Sequence, residues 1–366
     1  MSRMPTIASG SVTAFFLYDV AETIDLSAAS RLIGGTAPVR IAPKPPAPSY
    51  FQYVNPPILV EGHALGLTDV GGFRARLKLF DYGVVSVALS SPAPNTWDGL
   101  LTHGLRCHDD PELAAVAEKC RLAIVDRIAP ALSQPRTEFL SEDYLVFTVV
   151  PASDPTKADE VLAVHGSDIA QLLRGERDAL SAQERDEVLR HRISYLATDL
   201  VVPAWNAAFV YDTEAGAQGI LDILEFANSQ LLQFRYYDRL LDGELERIYA
   251  RLQQPGWLQN WFARRFTHAA RQIHSLFIDV NELTDKTENA LKIVGDVYAA
   301  RLFTLAAARL GLDHWKENVK EKLKTLDDIY RFSVERTAMA RGEFLELLIV
   351  LILVFELVLF FAGIMR

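Results

Sequence analysis

The 366-residue chain contains only two cysteines, Cys107 and Cys120. Two cysteines cannot build a disulfide framework at this length, which points to a reducing compartment. Positive charge is also in short supply: 37 Lys and Arg against 47 Asp and Glu leave a formal net charge of −10. That balance argues against general nucleic-acid binding, which needs an excess of cations to neutralise phosphates. The opening MSRMPTIASGSVTAFFLYDV has no leader-peptide pattern: its apolar stretch is short, reaches Asp19 quickly and ends in no small-residue cleavage motif. Enzyme signatures are missing as well. GHALGLTDVGG carries Gly62, Gly66, Gly71 and Gly72, yet it fits neither the dinucleotide fingerprint nor the Walker loop. No serine stands in a nucleophile-elbow pattern.

Apolar residues are abundant, at 50% of the chain, so a large core is available and the length suits two domains. Val12–Tyr18 is β-branched and aromatic and too short for a helix, so it reads as a buried strand. Asp25–Gly34 reads as a short helix with an Asp N-cap and a Gly stop. The proline-rich APKPPAPSY that follows is a loop. Ile58–Glu61 is a short strand, and Arg74–Ser90 reads as two strands meeting at Asp81-Tyr82-Gly83, with Arg76 and Lys78 among apolar residues on the first. Asp109–Leu132 reads as a helix with Asp110 at the N-cap and Pro111 in the first turn. Tyr144–Val150 is another buried strand. This alternation predicts an N-terminal α/β sandwich over residues 1–160, in an α+β class, with a ferredoxin-like arrangement as the candidate.

From about Ser167 the pattern turns helical. A helical domain is expected over 161–280, including a long helix capped by Asp212 or Thr213 and stopped at Gln254-Pro255-Gly256. Over 281–343 the seams Leu283–Ala308 and Leu312–Ala340 flank Gly311-Leu312-Asp313, a C-cap and N-cap pair, and predict an antiparallel helical hairpin with coiled-coil character. The tail, 344–366, holds a run from Leu347 to Met365 that is apolar or glycine throughout except Glu356. As a helix it is about 28 Å long, matching a hydrocarbon core, and so predicts one transmembrane helix. Arg331, Arg336 and Arg341 precede the run and Arg366 follows it, so the positive-inside rule keeps the body cytoplasmic. Glu356 costs about 2.5–3.5 kcal/mol at mid-span, and a second copy of the helix is the nearest polar partner. A homo-oligomer is therefore expected.

Two further clusters bear on function. His103, Cys107, His108, Asp109 and Asp110 are ligand types at close spacing, and Cys120 is the one further candidate to complete a four-ligand site. No second cluster completes the set, so the expectation is an ordinary helix start with no metal and no cofactor. Trp257–Phe277 gathers Arg264, Arg265 and Arg271 with Trp257 and Trp261 and contains no acid. Such a segment suits a membrane surface or an acidic protein partner, or else an internal arginine-lined helix.

Three stretches in order, FDYGVVSV (Phe80–Val87), LLQFRYYDRLL (Leu231–Leu241) and ELLIVLILVFELVLF, resemble the RMND/Sif family, "required for meiotic nuclear division". The resemblance runs from about residue 50 onward. It implies an α/β N-terminal part, a helical hairpin and a C-terminal membrane segment. Eukaryotic members are linked to mitochondria and their translation, and no catalytic residues are established to carry over. The want of a mitochondrial presequence implies a bacterial member, seated in the inner membrane; a eukaryotic one would sit in an organelle membrane. The sequence thus leads to a membrane-anchored scaffold that self-associates through its C-terminal helices. The rival is a membrane-tethered enzyme or ligand-binding protein with its site in the α/β domain; a concave pocket holding several perturbed acids or bases would favour that rival, and a filled core with no such pocket the scaffold.

Overall fold

The structure is a computed structural model that describes residues 7–34, 56–66, 72–108, 110–137, 139–152, 155–252 and 297–329, together with 278, 280, 281 and 349–354. Its centre is a seven-stranded sheet in the order β3-β4-β5-β1-β7-β9-β8. The strands are β1 (Ile7–Asp19), β3 (Ile58–Glu61), β4 (Arg74–Leu79), β5 (Val84–Ala93), β7 (Ser141–Pro151), β8 (Leu200–Pro203) and β9 (Ala207–Tyr211). All neighbours are antiparallel except the parallel pair β7–β9. A second, two-stranded sheet pairs β2 (Ala21–Ile24) with β6 (Leu132–Pro135).

The chain is mixed α+β, with an N-terminal sheet and a helical C-terminal part. The sheet exceeds the four strands of a ferredoxin-like unit. It also continues beyond residue 160, because β8 and β9 follow α4 (Ala158–Arg174) and α5 (Ala182–Arg190) and extend its edge. The helical reading from Ser167 is corrected there. Leu200–Pro203 and Ala207–Tyr211 are continuously buried runs of four and five residues, too short to show a period.

The local signals explain the elements that were legible. In α1 (Leu26–Ile33) the Asp25 carboxylate accepts from Ala28 N at 3.0 Å, and Gly34 closes the helix at φ 116°. Asp110 caps α3 (Pro111–Ile128) by accepting from Glu112 N, also at 3.0 Å. One sheet face carries Val12, Ala14, Leu77, Val87, Leu89 and Phe147 into the main core. That face is covered by α2 (Trp97–His108), α3 and α4. Removing each such Val, Leu or Phe from water contributes roughly 1.5–3 kcal/mol. α2 lies close enough that a Cβ on Gly104 would come within 2.5 Å of Leu172 and 2.8 Å of Phe147.

The opposite sheet face meets α6 (Glu214–Leu252). Thr213 Oγ1 caps α6 by accepting from Gly216 N at 3.2 Å. The middle of α6 is buried on all sides, including the polar Glu225, Asn228, Ser229, Gln230 and Gln233. Phe226 packs on Phe303 of α7 (Val297–Arg309).

The chain divides into two compact units: Met1–Tyr236 with Leu283–Trp315, and Tyr237–Glu282 with Lys316–Arg366. The turn expected at Gly311 is present: α7 stops at Arg309, Gly311 has φ 68°, and a helix over 312–329, α8, follows. In the second unit Lys322 of α8 sits 2.7 Å from both Asp238 and Asp242 of α6, so α6 is a neighbour of α8 there. No helix among the described residues is long and apolar enough to cross a membrane. The expected span Leu347–Met365, and Glu356 with it, lies outside the described residues apart from 349–354. Those six are helical, and each is 49–62% exposed.

Candidate functional site

Period-2 geometry decides what the α6-facing side of the sheet carries. Along β1 it places Ser9, Ser11 and Thr13 on one face, and along β4 it does the same for Arg74, Arg76 and Lys78. The register then sets these side by side. Arg74 pairs with Ser90 and Ser90 with Thr13, while Ser11 pairs with Pro92 on one side and Thr148 on the other. These residues line a groove of about 600 Å³, closed on one side by Glu214, Ala217, Gln218, Leu221 and Glu225 of α6.

The groove floor is rich in hydroxyls. Thr13 and Ser90 hydrogen-bond each other at 2.9 Å. Thr148 lies on the same floor, is 5% exposed, and its Oγ1 has no hydrogen-bond partner among the described residues. A buried hydroxyl without a partner is costly, so this atom marks a place where the fold leaves polar capacity unused.

The charged groups differ in how far they are already engaged. Lys78 is buried at the deep end. It ion-pairs with Asp222 at 2.7 Å and contacts Glu225 still more closely. Burial opposes its charge, but Glu225 and Asp222 together outweigh that and hold the ammonium above its usual range. Arg76 donates to Gln218 at 3.2 Å and meets Glu61 at 3.5 Å in a pair whose members are 37% and 40% exposed. Arg74 is exposed and makes no ion pair among the described residues.

Further along α6, a second polar set staples the helix to the sheet. Gln233 donates to Asp19 at 3.1 Å, Arg136 ion-pairs with Asp19 at 2.6 Å, and Arg235 binds Glu142. Burial pushes the Asp19 carboxyl up to about 6 against the pull of Arg136 and Gln233. Burial likewise pushes Glu142 up to about 7 against Arg235, with Asp143 adding to the rise. Tyr82 and Ser229 hydrogen-bond at 2.7 Å, so the Asp81-Tyr82-Gly83 turn reaches the same helix. The turn within Phe80–Val87 thus reaches α6 just before Gln233 and Arg235 of the LLQFRYYDRLL stretch.

The suspected metal cluster does not assemble. His103 Nε2 is 2.7 Å from Ser91 Oγ, and His108 Nε2 donates to the Leu172 carbonyl at 2.6 Å. Cys107 and Cys120 are free and buried, and Asp110 is spent as a cap. Burial pushes the Cys107 thiol up to about 11, which keeps it protonated. Asp109, Trp257, Trp261, Arg264, Arg265 and Arg271 lie outside the described residues.

The described strands, apart from the first two residues of β1, and the start of α6 fall within a match to a family model described as "Uncharacterized protein MJ0711, N-terminal domain", which covers residues 9–218. The chain belongs to this family. Uncharacterized protein MJ0711 of Methanocaldococcus jannaschii is 24% identical over 241 residues, 66% of this chain and 72% of that protein. No solved structure matches. The matched span contains every groove residue except Leu221 and Glu225.

Proposed function

We propose that the chain is a ligand-binding protein whose site is the groove between the sheet and the start of α6, and that its C-terminal helix fixes it to a membrane. The observation that carries the first part is the buried, unpartnered Thr148 hydroxyl on the floor of a polar groove. A groove of about 600 Å³ has the size of small-molecule sites. The membrane part is supported by the exposed apolar helix over 349–354, inside the Leu347–Met365 run. Self-association through Glu356 and kinship with the RMND/Sif proteins belong to the same proposal.

The test is a thermal-shift screen of the detergent-solubilised full chain against small molecules of anionic, cationic and neutral classes. Ser11→Phe, which fills the groove from its rim, is screened in parallel. The expected result is a ligand that raises the melting temperature of wild type and leaves Ser11→Phe unmoved. A shift of equal size in both proteins would place binding elsewhere.

A further inference from the structure

The charges lining the groove are Arg74, Arg76, Lys78, Glu214 and Glu225. They are not equally available. Lys78 and Glu225 consume each other, with Asp222 taking the remaining capacity of the ammonium. The Arg76–Glu61 pair is long and solvent-exposed, the kind worth little, and the other contact of Arg76 is the neutral Gln218. Arg74 has no ion pair among the described residues. What remains is Arg74, together with Arg76 held only by the exposed Glu61 and the neutral Gln218, so these two guanidinium groups are the cations of the groove least engaged by carboxylates.

Beside these arginines lie Ser9, Ser11, Thr13, Ser90 and Thr148, whose hydroxyl has no partner among the described residues. Guanidinium forks suit phosphate oxygens, and hydroxyls both donate to them and pair with the hydroxyls of a ligand body. Among the described residues the aromatic lining is limited to Phe15, which is 2% exposed, so they offer no open ring on which a nucleobase could stack.

From Arg74, the loosely held Arg76 and the hydroxyl floor we infer that the groove binds a phosphorylated polyol, its phosphate at Arg74 and Arg76 and its hydroxyls over Ser11, Thr13 and Thr148. This rests on reading the groove as a ligand site. The same chemistry is offered by a free sugar or glycerol phosphate and by a phospholipid headgroup.

Calorimetric titration of the detergent-solubilised full chain tests it. The probes are glycerol 3-phosphate, glycerol, inorganic phosphate and a short-chain phosphatidic acid below its micellar concentration. Glycerol 3-phosphate should bind saturably and tighter than glycerol or phosphate alone. Tighter binding of the phosphatidic acid would assign the site to a headgroup, and weaker binding would assign it to a free metabolite. Arg74→Gln should weaken binding about tenfold, and Thr148→Val, which keeps the shape, about fivefold. Glu214→Gln should tighten it, because a like charge at the rim is removed. Saturable binding that neither Arg74→Gln nor Thr148→Val changes, or no binding by any phosphate, overturns the inference. An uncharged or cationic ligand excluded by Ser11→Phe would keep the groove as a site and remove the phosphate; no ligand of any class would remove both.

Discussion

Lys78 on β4 donates to Asp222 on α6 at 2.7 Å, across 144 residues of sequence, and Glu225 one turn further along closes on the same ammonium. The contact is buried, so it fixes the position of α6 on the sheet and sets the depth of the groove.

Removing one side of such a group leaves the other side charged and dry. Lys78→Met should therefore destabilise the protein by about 3 kcal/mol in urea unfolding. Adding Glu225→Gln should recover part of that loss, because one buried anion is removed. Independent, additive losses would show that the pair is not coupled.

The second staple should be visible in pH dependence. Asp19 is raised from 3.8 to about 6 and Glu142 from 4.5 to about 7, so the folded state holds these protons more tightly than the unfolded chain does. Their contribution to stability is full below the ordinary values and is lost as pH rises through about 6 and 7. The melting temperature should fall between pH 5 and 8, that is, across this window. The double variant Asp19→Asn, Glu142→Gln should flatten the fall, whereas a wild-type curve that rises across it would contradict the assignment.

Gly83 and Gly34 both hold positive φ, at 83° and 116°, but differ in their surroundings. A Cβ on Gly83 would stand 1.8 Å from the Ala21 carbonyl oxygen, while one on Gly34 meets nothing within 4 Å among the described residues. Thermal unfolding should show Gly34→Ala costing about 1 kcal/mol and Gly83→Ala more than about 2 kcal/mol. Similar costs at the two positions would mean that the turn at Asp81-Tyr82-Gly83 does not press on β2 in solution.

If the run Leu347–Met365 spans a bilayer, carbonate-washed membranes should retain the full chain, and truncation before Leu345 should release it. Glu356→Leu should insert at least as well as wild type but associate more weakly by about 1 kcal/mol in an energy-transfer titration. Equal association would remove the self-association role of Glu356.

These elements differ in how far they could be read from the chain. The helix between Asp25 and Gly34 was legible because both its caps are local. The turn at Asp81-Tyr82-Gly83 was legible because glycine alone suits its geometry. β2 and β6 were not legible, since each has four residues and its partner lies far along the chain. α2 was masked by its own chemistry: His103, Cys107 and His108 suggested ligands, while the residue that explains the segment is Gly104, pressed against Leu172 and Phe147. The groove was half legible. The period-2 series Ser9, Ser11, Thr13 and Arg74, Arg76, Lys78 each announce a common face. Only the register β4-β5-β1-β7 brings them together with Thr148, and no local pattern encodes that order.

The central claim is that the Thr148 hydroxyl and Arg74 belong to one ligand site, and a crystal structure of the full chain at saturating glycerol 3-phosphate tests it most directly. The account predicts the phosphate against the Arg74 guanidinium and a ligand hydroxyl within hydrogen-bond distance of Thr148 Oγ1. A groove left empty at saturating ligand, or ligand seated elsewhere while Thr148 Oγ1 stays unpartnered, would contradict it.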